Sequence, residues 1–380
     1  MLTATPRFEF IDGNQAIMRG AFDAGCTFFA GYPITPATSL LLEAVRVMPS
    51  IGGVAIQTED ELAGISMCIA ASMAGSKAMT ATSGPGVSLY SENIGLAIMG
   101  EVPLVIVDSQ RLGPATGGAT SHGEGDVQFV RWSTAGGFPI IALAPRDLKT
   151  SYELTVQAFN LAERYRTPVF LLTSKELSLT RSSADSSLWE RLEPVERRLY
   201  QGEAEAFLPY ATPERGEVPL FAPIGAPFQV RFTTSIHGPE GIITNDLTKR
   251  RDKLEHLNEK IRWDKPGLSL FEEDIAEGAD TLVVAYGLAA QSALDAVETL
   301  RRGGHRVSLL VLYTLWPVLE GVLTRCLERH KRVIVPEHNN GQYLQEVERF
   351  AVNQRLTSVQ RFDGTIISPG EIVRAVLEEV

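Results

Sequence analysis

The stretch from Ile56 to Gly86, IQTEDELAGISMCIAASMAGSKAMTATSGPG, constrains the fold of this chain more than any other. It runs from the end of a strand into an acidic helix start, then a helix of small residues, a second strand and a Gly-Pro-Gly turn. A helix carrying Ala63, Gly64, Ser66, Ala70, Ala71, Ser72, Ala74 and Gly75 is lean enough for another backbone or a flat ligand to come close. Thr58, three residues before Glu61, has the spacing of a capping box, whose side chains satisfy free N–H groups at a helix start. Glu61 therefore has two readings: a helix cap, or an acid at the head of a site.

The same alternation extends on both sides. Asn14 to Ala24 reads as a helix and Cys26 to Ala30 as a short apolar strand. Gly31 to Pro36 (GYPITP) is a turn in which two prolines forbid regular structure, and Pro36 opens a helix over Ala37 to Val47. Val54 to Ile56, Ala78 to Thr82 and Leu104 to Asp108 are further strands, with a helix at Val87 to Met99. Such alternation predicts a parallel sheet with helices on both faces. Thr35 then falls at the carboxyl edge, where open α/β sheets bind ligands. It suits a cap for the following helix as well. Ser83 to Gly86 lacks the Lys-Ser/Thr of a phosphate loop and the spacing of a dinucleotide fingerprint, and reads as a tight turn near a ligand.

After Asp108 comes a long glycine-rich segment at a strand's carboxyl end, and ordered loops of that length are commonly functional. Arg111 is its leading residue: a planar fork suited to a carboxylate or phosphate, or to a salt bridge that ties the loop down. His122 reads as a solvated loop histidine. Strand Pro139 to Ala142, helix Pro145 to Arg164 and strand Val169 to Ser174 complete a first domain over residues 1–176. Residues 177–268 read as an extended connector lying on the surface, without a catalytic cluster, and its charged helix Thr248 to Trp263 as a solvated face. A second α/β unit occupies 269–380. It has strands at Thr281 to Tyr286, Val307 to Leu312 and Arg332 to Pro336, and helices at Ala289 to Arg302, Pro317 to His330, Gln342 to Asn353 and Pro369 to Glu379. Glu337 and His338 read as a subunit contact or a helix cap rather than an acid/base pair.

Length and composition agree with this division. A chain of 380 residues is too long for one ordinary domain. Its 44% hydrophobic and 21% charged content suits a globular protein with a large core. The net charge of -11 argues against nucleic acid as a partner. Neither a bilayer-spanning apolar run nor a leader pattern at Met1 to Phe10 is visible, so no membrane partner and a cytoplasmic location are expected. Cys26, Cys68 and Cys326 lie far apart and cannot supply a four-thiolate cluster site.

Four motifs in order, Gly31 to Pro36, Gln57 to Glu61, Ala81 to Gly86 and Gln110 to Gly117, resemble those of the 2-oxoacid:ferredoxin oxidoreductase alpha subunits. The region Gly117 to Ala144 is most similar to the 2-oxoglutarate branch. The resemblance covers essentially the whole chain and implies two open parallel-sheet domains, a thiamine-diphosphate-enzyme pyrimidine-binding domain followed by a transketolase C-terminal-like domain. It implies CoA-dependent oxidative decarboxylation of a 2-oxoacid with reduction of ferredoxin, a reversible reaction. By motif position Glu61 would be the carboxylate against the aminopyrimidine, with Tyr32, Pro33, Ile34, Ser83, Gly84 and Pro85 also lining the cofactor. Thr35 and Arg111 would bind the substrate, with His122 as a candidate for the second carboxylate of 2-oxoglutarate.

No Gly-Asp-Gly is followed at the usual interval by Asn-Asn, the Mg-diphosphate signature of thiamine enzymes. The resemblance therefore places the Mg2+ and at least one 4Fe-4S cluster on a beta subunit, with thiamine diphosphate shared at the interface and no metal site in this chain. An (alpha-beta)2 heterotetramer or larger is expected. No gamma domain precedes the pyrimidine domain, so a separate gamma chain, or none, would serve. Pyruvate or a branched-chain 2-oxoacid is the alternative substrate, and a non-catalytic scaffold that docks the beta chain is the alternative role.

Overall fold

The computed structural model describes residues 7–378. The Met1 to Phe10 segment and the expected end of the last helix reach into residues 1–6 and 379–380, which lie outside the described residues. The strands are β1 (Phe8–Ile11), β2 (Phe28–Gly31), β3 (Val54–Gln57), β4 (Ala78–Thr82), β5 (Leu104–Gln110), β6 (Ile141–Leu143), β7 (Pro168–Ser174), β8 (Ser182–Asp185), β9 (Phe271–Asp274), β10 (Thr281–Ala285), β11 (Val307–Leu312), β12 (Thr314–Trp316), β13 (Arg332–Glu337) and β14 (Arg355–Gln360).

Seven strands form the first sheet, in the order β12-β6-β7-β5-β4-β2-β3. All its pairings are parallel except β12 with β6. Alternate residues of a strand point to opposite faces, so a strand covered on both sides reads as a continuous apolar run. On β5, Leu104 and Ile106 join the cluster holding Ile65, Ile69 and Ile94, whereas Val105 and Val107 join the one holding Ile17, Tyr152 and Phe159. Asp108 keeps the parity of Leu104 and Ile106, and its side chain falls on the same face as the helix Glu61–Met73.

That helix is lean where it meets the sheet. A Cβ on Gly64 would stand 3.2 Å from the Cα of Gly31, so glycine permits the close approach. The helix expected at Val87 starts earlier. Gly84–Leu89 is already helical, with Pro85 in its first turn, and Ser91–Met99 follows. The Gly-Pro-Gly turn is thus a helix start, consistent with the fixed φ of proline.

The second sheet runs β14-β13-β10-β11-β9, parallel except for its β9 edge. β12, although encoded within the second unit, completes the edge of the first sheet and joins the two. The helices expected at Pro317 to His330 and Gln342 to Asn353 are shorter, at Glu320–Glu328 and Leu344–Glu348.

The connector is less superficial than its composition suggests. β8 pairs with β1, Phe221 is buried in the core, and Arg197 forms an ion pair with Glu163 at 2.6 Å. Its charged helix, Leu247–Lys260, is not a solvated face. Lys253, His256 and Lys260 turn inward onto fully buried Glu101, at 2.6, 3.1 and 2.8 Å. Their 3–4 residue spacing puts all three on one side of the helix. No helix among the described residues is long and apolar enough to cross a membrane.

Candidate active site at the seam between the two units

The carboxyl ends of β4 and β5, the glycine-rich segment after β5 and the turn after β13 enclose a cavity of about 820 Å3. Arg111, Asp126, Gly84 and Pro85 line it from the first unit, and His338, Asn339 and Gln342 from the second. A cavity of this size holds a drug-sized organic ligand.

The helix beside it starts differently from the sequence reading. The N-cap is Asp60, whose carboxylate accepts from the Ala63 N–H at 2.7 Å. Thr58 instead donates its hydroxyl to the Asp60 carbonyl at 2.8 Å. The Thr58–Glu61 capping box does not form, because Asp60 takes the cap. Glu61 is left as a buried carboxylate at the first helical position without capping duty. It lies against the Gly84–Leu89 helix start: a Cβ on Gly86 would meet the Thr82 hydroxyl at 1.9 Å and Glu61 at 2.9 Å.

Thr35 is likewise no cap. The helix begins at Thr38 behind Ala37, with no side-chain hydrogen bond at its start. Thr35 is exposed at the exit of β2, and its carbonyl accepts from the Arg111 guanidinium at 2.6 Å. Tyr32 is exposed beside it, and Pro33 and Ile34 are half-buried. The structure thus brings Thr35 and Arg111 together, with Gly84 and Pro85 on the same cavity as Arg111. The Arg111 Nε is buried without a partner among the described residues, as is the Ser83 hydroxyl.

His122 is buried rather than solvated. Neither ring nitrogen has a hydrogen-bond partner among the described residues, and burial pushes its pKa down to about 4. Its ring packs edge-on against that of His338, centroids 4.3 Å apart, and the cavity wall there is Gly123 and His338. His338 Nε2 accepts from the Ile367 N–H at 3.1 Å, which leaves Nδ1–H to donate to Glu124 at 3.3 Å. Burial opposes ionisation of Glu124, but the hydrogen bonds from His338 and the Leu288 N–H hold its carboxyl below the ordinary range. Glu124 approaches so closely that a Cβ on Gly287 would stand 2.7 Å from its carboxylate. Asn339 and Gln342 bond the carbonyls of Glu124 and Gly125 at 2.9 and 2.6 Å, completing the join. Glu337 accepts from the N–H groups of Tyr343 and Leu344 at 2.7 and 3.1 Å, a cap for the helix Leu344–Glu348.

The sequence reading missed Asp126, Asn339 and Gln342 as cavity residues, and Asp108 as a carboxyl buried behind them. The one available signal was Asp108, a charge closing an otherwise apolar strand.

Residues 19–240 match the family model described as pyruvate flavodoxin/ferredoxin oxidoreductase, thiamine diphosphate-binding, and residues 279–372 match pyruvate:ferredoxin oxidoreductase core domain II. The chain belongs to the pyruvate flavodoxin/ferredoxin oxidoreductase family. Among curated members it is 38% identical over 374 residues to the 2-oxoglutarate synthase subunit KorA of Methanocaldococcus jannaschii, covering 98% of this chain and 100% of that one. A solved 2-oxoglutarate:ferredoxin oxidoreductase from Magnetococcus marinus, with 2-oxoglutarate, coenzyme A and succinyl-CoA bound, superposes with a TM-score of 0.89 at 30% identity. That match covers 99% of this chain, which spans 66% of the Magnetococcus chain. A split-gene transketolase, in an inactive beta4 tetramer, shares the fold alone, with a TM-score of 0.54 at 12% identity over 97% of this chain and 98% of its own.

For a member of this family the fit to thiamine diphosphate can be judged from the residues present. An uncommitted buried carboxylate at Glu61, a glycine cradle at Gly86 that any Cβ would fill and an unpartnered Ser83 hydroxyl suit a flat, hydrogen-bonding aminopyrimidine.

Proposed function

We propose that this chain is the alpha subunit of a 2-oxoglutarate:ferredoxin oxidoreductase, which converts 2-oxoglutarate and CoA to succinyl-CoA and CO2 while reducing ferredoxin. The observation that carries the reading is the Glu61 carboxylate, released from capping by Asp60 and set against the Gly86 turn. Bound thiamine diphosphate supplies the carbanion chemistry that decarboxylation needs. Glu61 would hold a proton shared with the aminopyrimidine ring, the role of a general acid/base whose partner lies within hydrogen-bond reach. Ser83, Gly84 and Pro85, with Tyr32, Pro33 and Ile34, would shape the walls around that ring.

Arg111 would hold a substrate carboxylate, its guanidinium aimed by the Thr35 carbonyl. Thr35 would face the substrate from the same turn. His122, the candidate for the distal carboxylate, would offer it a neutral ring N–H rather than a cation. Two relatives with 2-oxoglutarate in their names, aligned along nearly the whole chain, favour this substrate.

The rest of the enzyme would come from partners. Three separated buried cysteines cannot ligate a 4Fe-4S cluster, so a beta subunit would carry the cluster, together with Mg2+ and the diphosphate. Exposed Leu62, Met67 and Leu89 beside the site offer it apolar surface. An (alpha-beta)2 assembly, ferredoxin as acceptor, a separate gamma chain where one is needed and a cytoplasmic location complete the reading.

The test is viologen reduction by the chain co-purified with its beta partner, offering 2-oxoglutarate, pyruvate and 2-oxoisovalerate with CoA. Activity on 2-oxoglutarate that falls ~100-fold or more in Glu61→Gln is expected. Preference for another oxoacid overturns the substrate, and an unimpaired Glu61→Gln overturns the mechanism.

A further inference from the structure

A second cavity, of about 400 Å3, opens in the connector, walled by Tyr210, Ala211, Arg215, His237, Lys253 and His256, none of which lines the first. Behind it three buried cations face one carboxylate. Lys253 and Lys260 both donate to Glu101, at 2.6 and 2.8 Å. Arg166, equally buried, reaches only carbonyls, those of Glu101, Pro219 and Leu220, at 3.1, 3.0 and 3.3 Å. His256 adds no charge: its Nδ1 accepts from the Gly216 N–H at 3.3 Å, which leaves Nε2–H to donate to Glu101 at 3.1 Å. The buried Glu163 is taken by Arg197. Buried charge is costly until it is paired, so this excess favours an anion in the cavity. At the rim Arg215 meets Asp252 at 3.1 Å, with Glu255 and Glu259 also in reach, and Lys249 meets Glu240 at 3.5 Å. Those groups are all more than a third exposed, so solvent screens them more than the buried set.

The wall also holds uncommitted hydrogen-bonding groups of both kinds. Lys253 Nζ has three N–H groups, gives one to Glu101 and meets no other acceptor among the described residues. It stands 4.5 Å from the centre of the Tyr210 ring, and the His237 ring packs on that same tyrosine, centroids 4.1 Å apart. His237 Nδ1 lies 2.9 Å from the Ser235 carbonyl and must donate to it, so Nε2 is a bare acceptor. That nitrogen is buried without a donor among the described residues. Burial and the Lys253 charge keep the ring neutral, its pKa pushed down to about 4. A matching occupant accepts from an ammonium and donates to an imidazole. We propose that this cavity binds a small oxyanion that also carries an O–H donor, its oxygens accepting from Lys253 and its hydroxyl donating to His237 Nε2. Protonated inorganic phosphate has this chemistry, and so does a small hydroxylated organic phosphate, which the cavity is large enough to hold.

The experiment compares inorganic phosphate with sulfate by calorimetry on the assembled complex saturated with thiamine diphosphate, at neutral pH and matched ionic strength. The two ions share a shape, but only phosphate keeps an O–H there. Phosphate is expected to bind about tenfold more tightly, because sulfate leaves the His237 nitrogen without a donor and sets an oxygen lone pair against it. His237→Phe should abolish that preference, and Lys253→Gln should weaken both ions. Should Lys253→Gln fail to fold, Ala211→Trp decides instead: it fills the cavity without touching the buried charges and should abolish phosphate binding. Phosphate that binds no better than sulfate, that keeps its preference in His237→Phe or that binds unchanged in Ala211→Trp overturns the proposal. So does phosphate binding that is lost in Arg111→Ala, since the ion then sits in the first cavity. Glycerol 3-phosphate separates the two sources of the ligand. Binding tighter than that of phosphate supports an organic anion, and weaker binding supports the free ion.

Discussion

Glu101 and Glu61 are both buried carboxylates of the same domain, and their surroundings are opposite. Glu101 is met by two ammonium groups and a histidine, whereas Glu61 is set against glycine and threonine and forms no ion pair among the described residues. Burial alone would push Glu101 upward, but Lys253, Lys260 and His256 together hold its carboxyl well below the ordinary range. A buried charge that is fully paired fastens a fold, here the connector helix to the first domain. A buried acid left without a partner is instead available for chemistry.

The largest effect that can break this comparison is on stability. Glu101→Gln leaves two buried lysines uncompensated and should cost ~3–5 kcal/mol in denaturant unfolding. Glu61→Gln should stay within about 0.5 kcal/mol of wild type while losing activity. Equal stability losses would erase the distinction. Because the folded pKa of Glu101 lies below its unfolded one, its contribution is complete at neutral pH and is lost only as acid reaches that depressed value.

His122 sharpens the comparison from the basic side. Burial lowers its folded pKa from 6.5 to about 4, so between those values the unfolded chain binds a proton that the folded chain refuses. Its favourable share of stability is present above pH 6.5 and is lost as pH falls toward 4. His122→Phe should reduce the stability difference between pH ~7 and ~5 by about 1–2 kcal/mol, read from thermal melts. An unchanged difference would mean that this ring titrates normally. The smallest effect is at the cap: Asp60→Ala should cost about 1 kcal/mol. Thr58→Val should cost less, because its hydroxyl serves one local carbonyl rather than the helix start.

Much of the fold was legible in the chain. β4 and β11 and the helix Ala289–Arg302 fall on the expected boundaries, because apolar runs between glycine and proline punctuation leave little choice. β1, β8, β9, β12 and β14 were not expected. Each lies at a sheet edge or in a two-stranded pair, where mixed polarity blurs the pattern. The charged helix Leu247–Lys260 misled for a related reason: its lysines resemble a solvated face until Glu101, more than 150 residues earlier, is placed beneath them.

For the site, the sequence by itself determined which short motifs fall at strand ends and helix starts, since proline, glycine and a lone acid at a strand's carboxyl end act through local backbone geometry. Tertiary structure alone decided which of those residues are free to act. Asp60 rather than Glu61 caps the helix, and Arg111 reaches Thr35. The second unit closes the cavity with His338, Asn339 and Gln342. These outcomes depend on what lies across space from each side chain, and burial and hydrogen-bond competition between distant segments are not written in any local spacing.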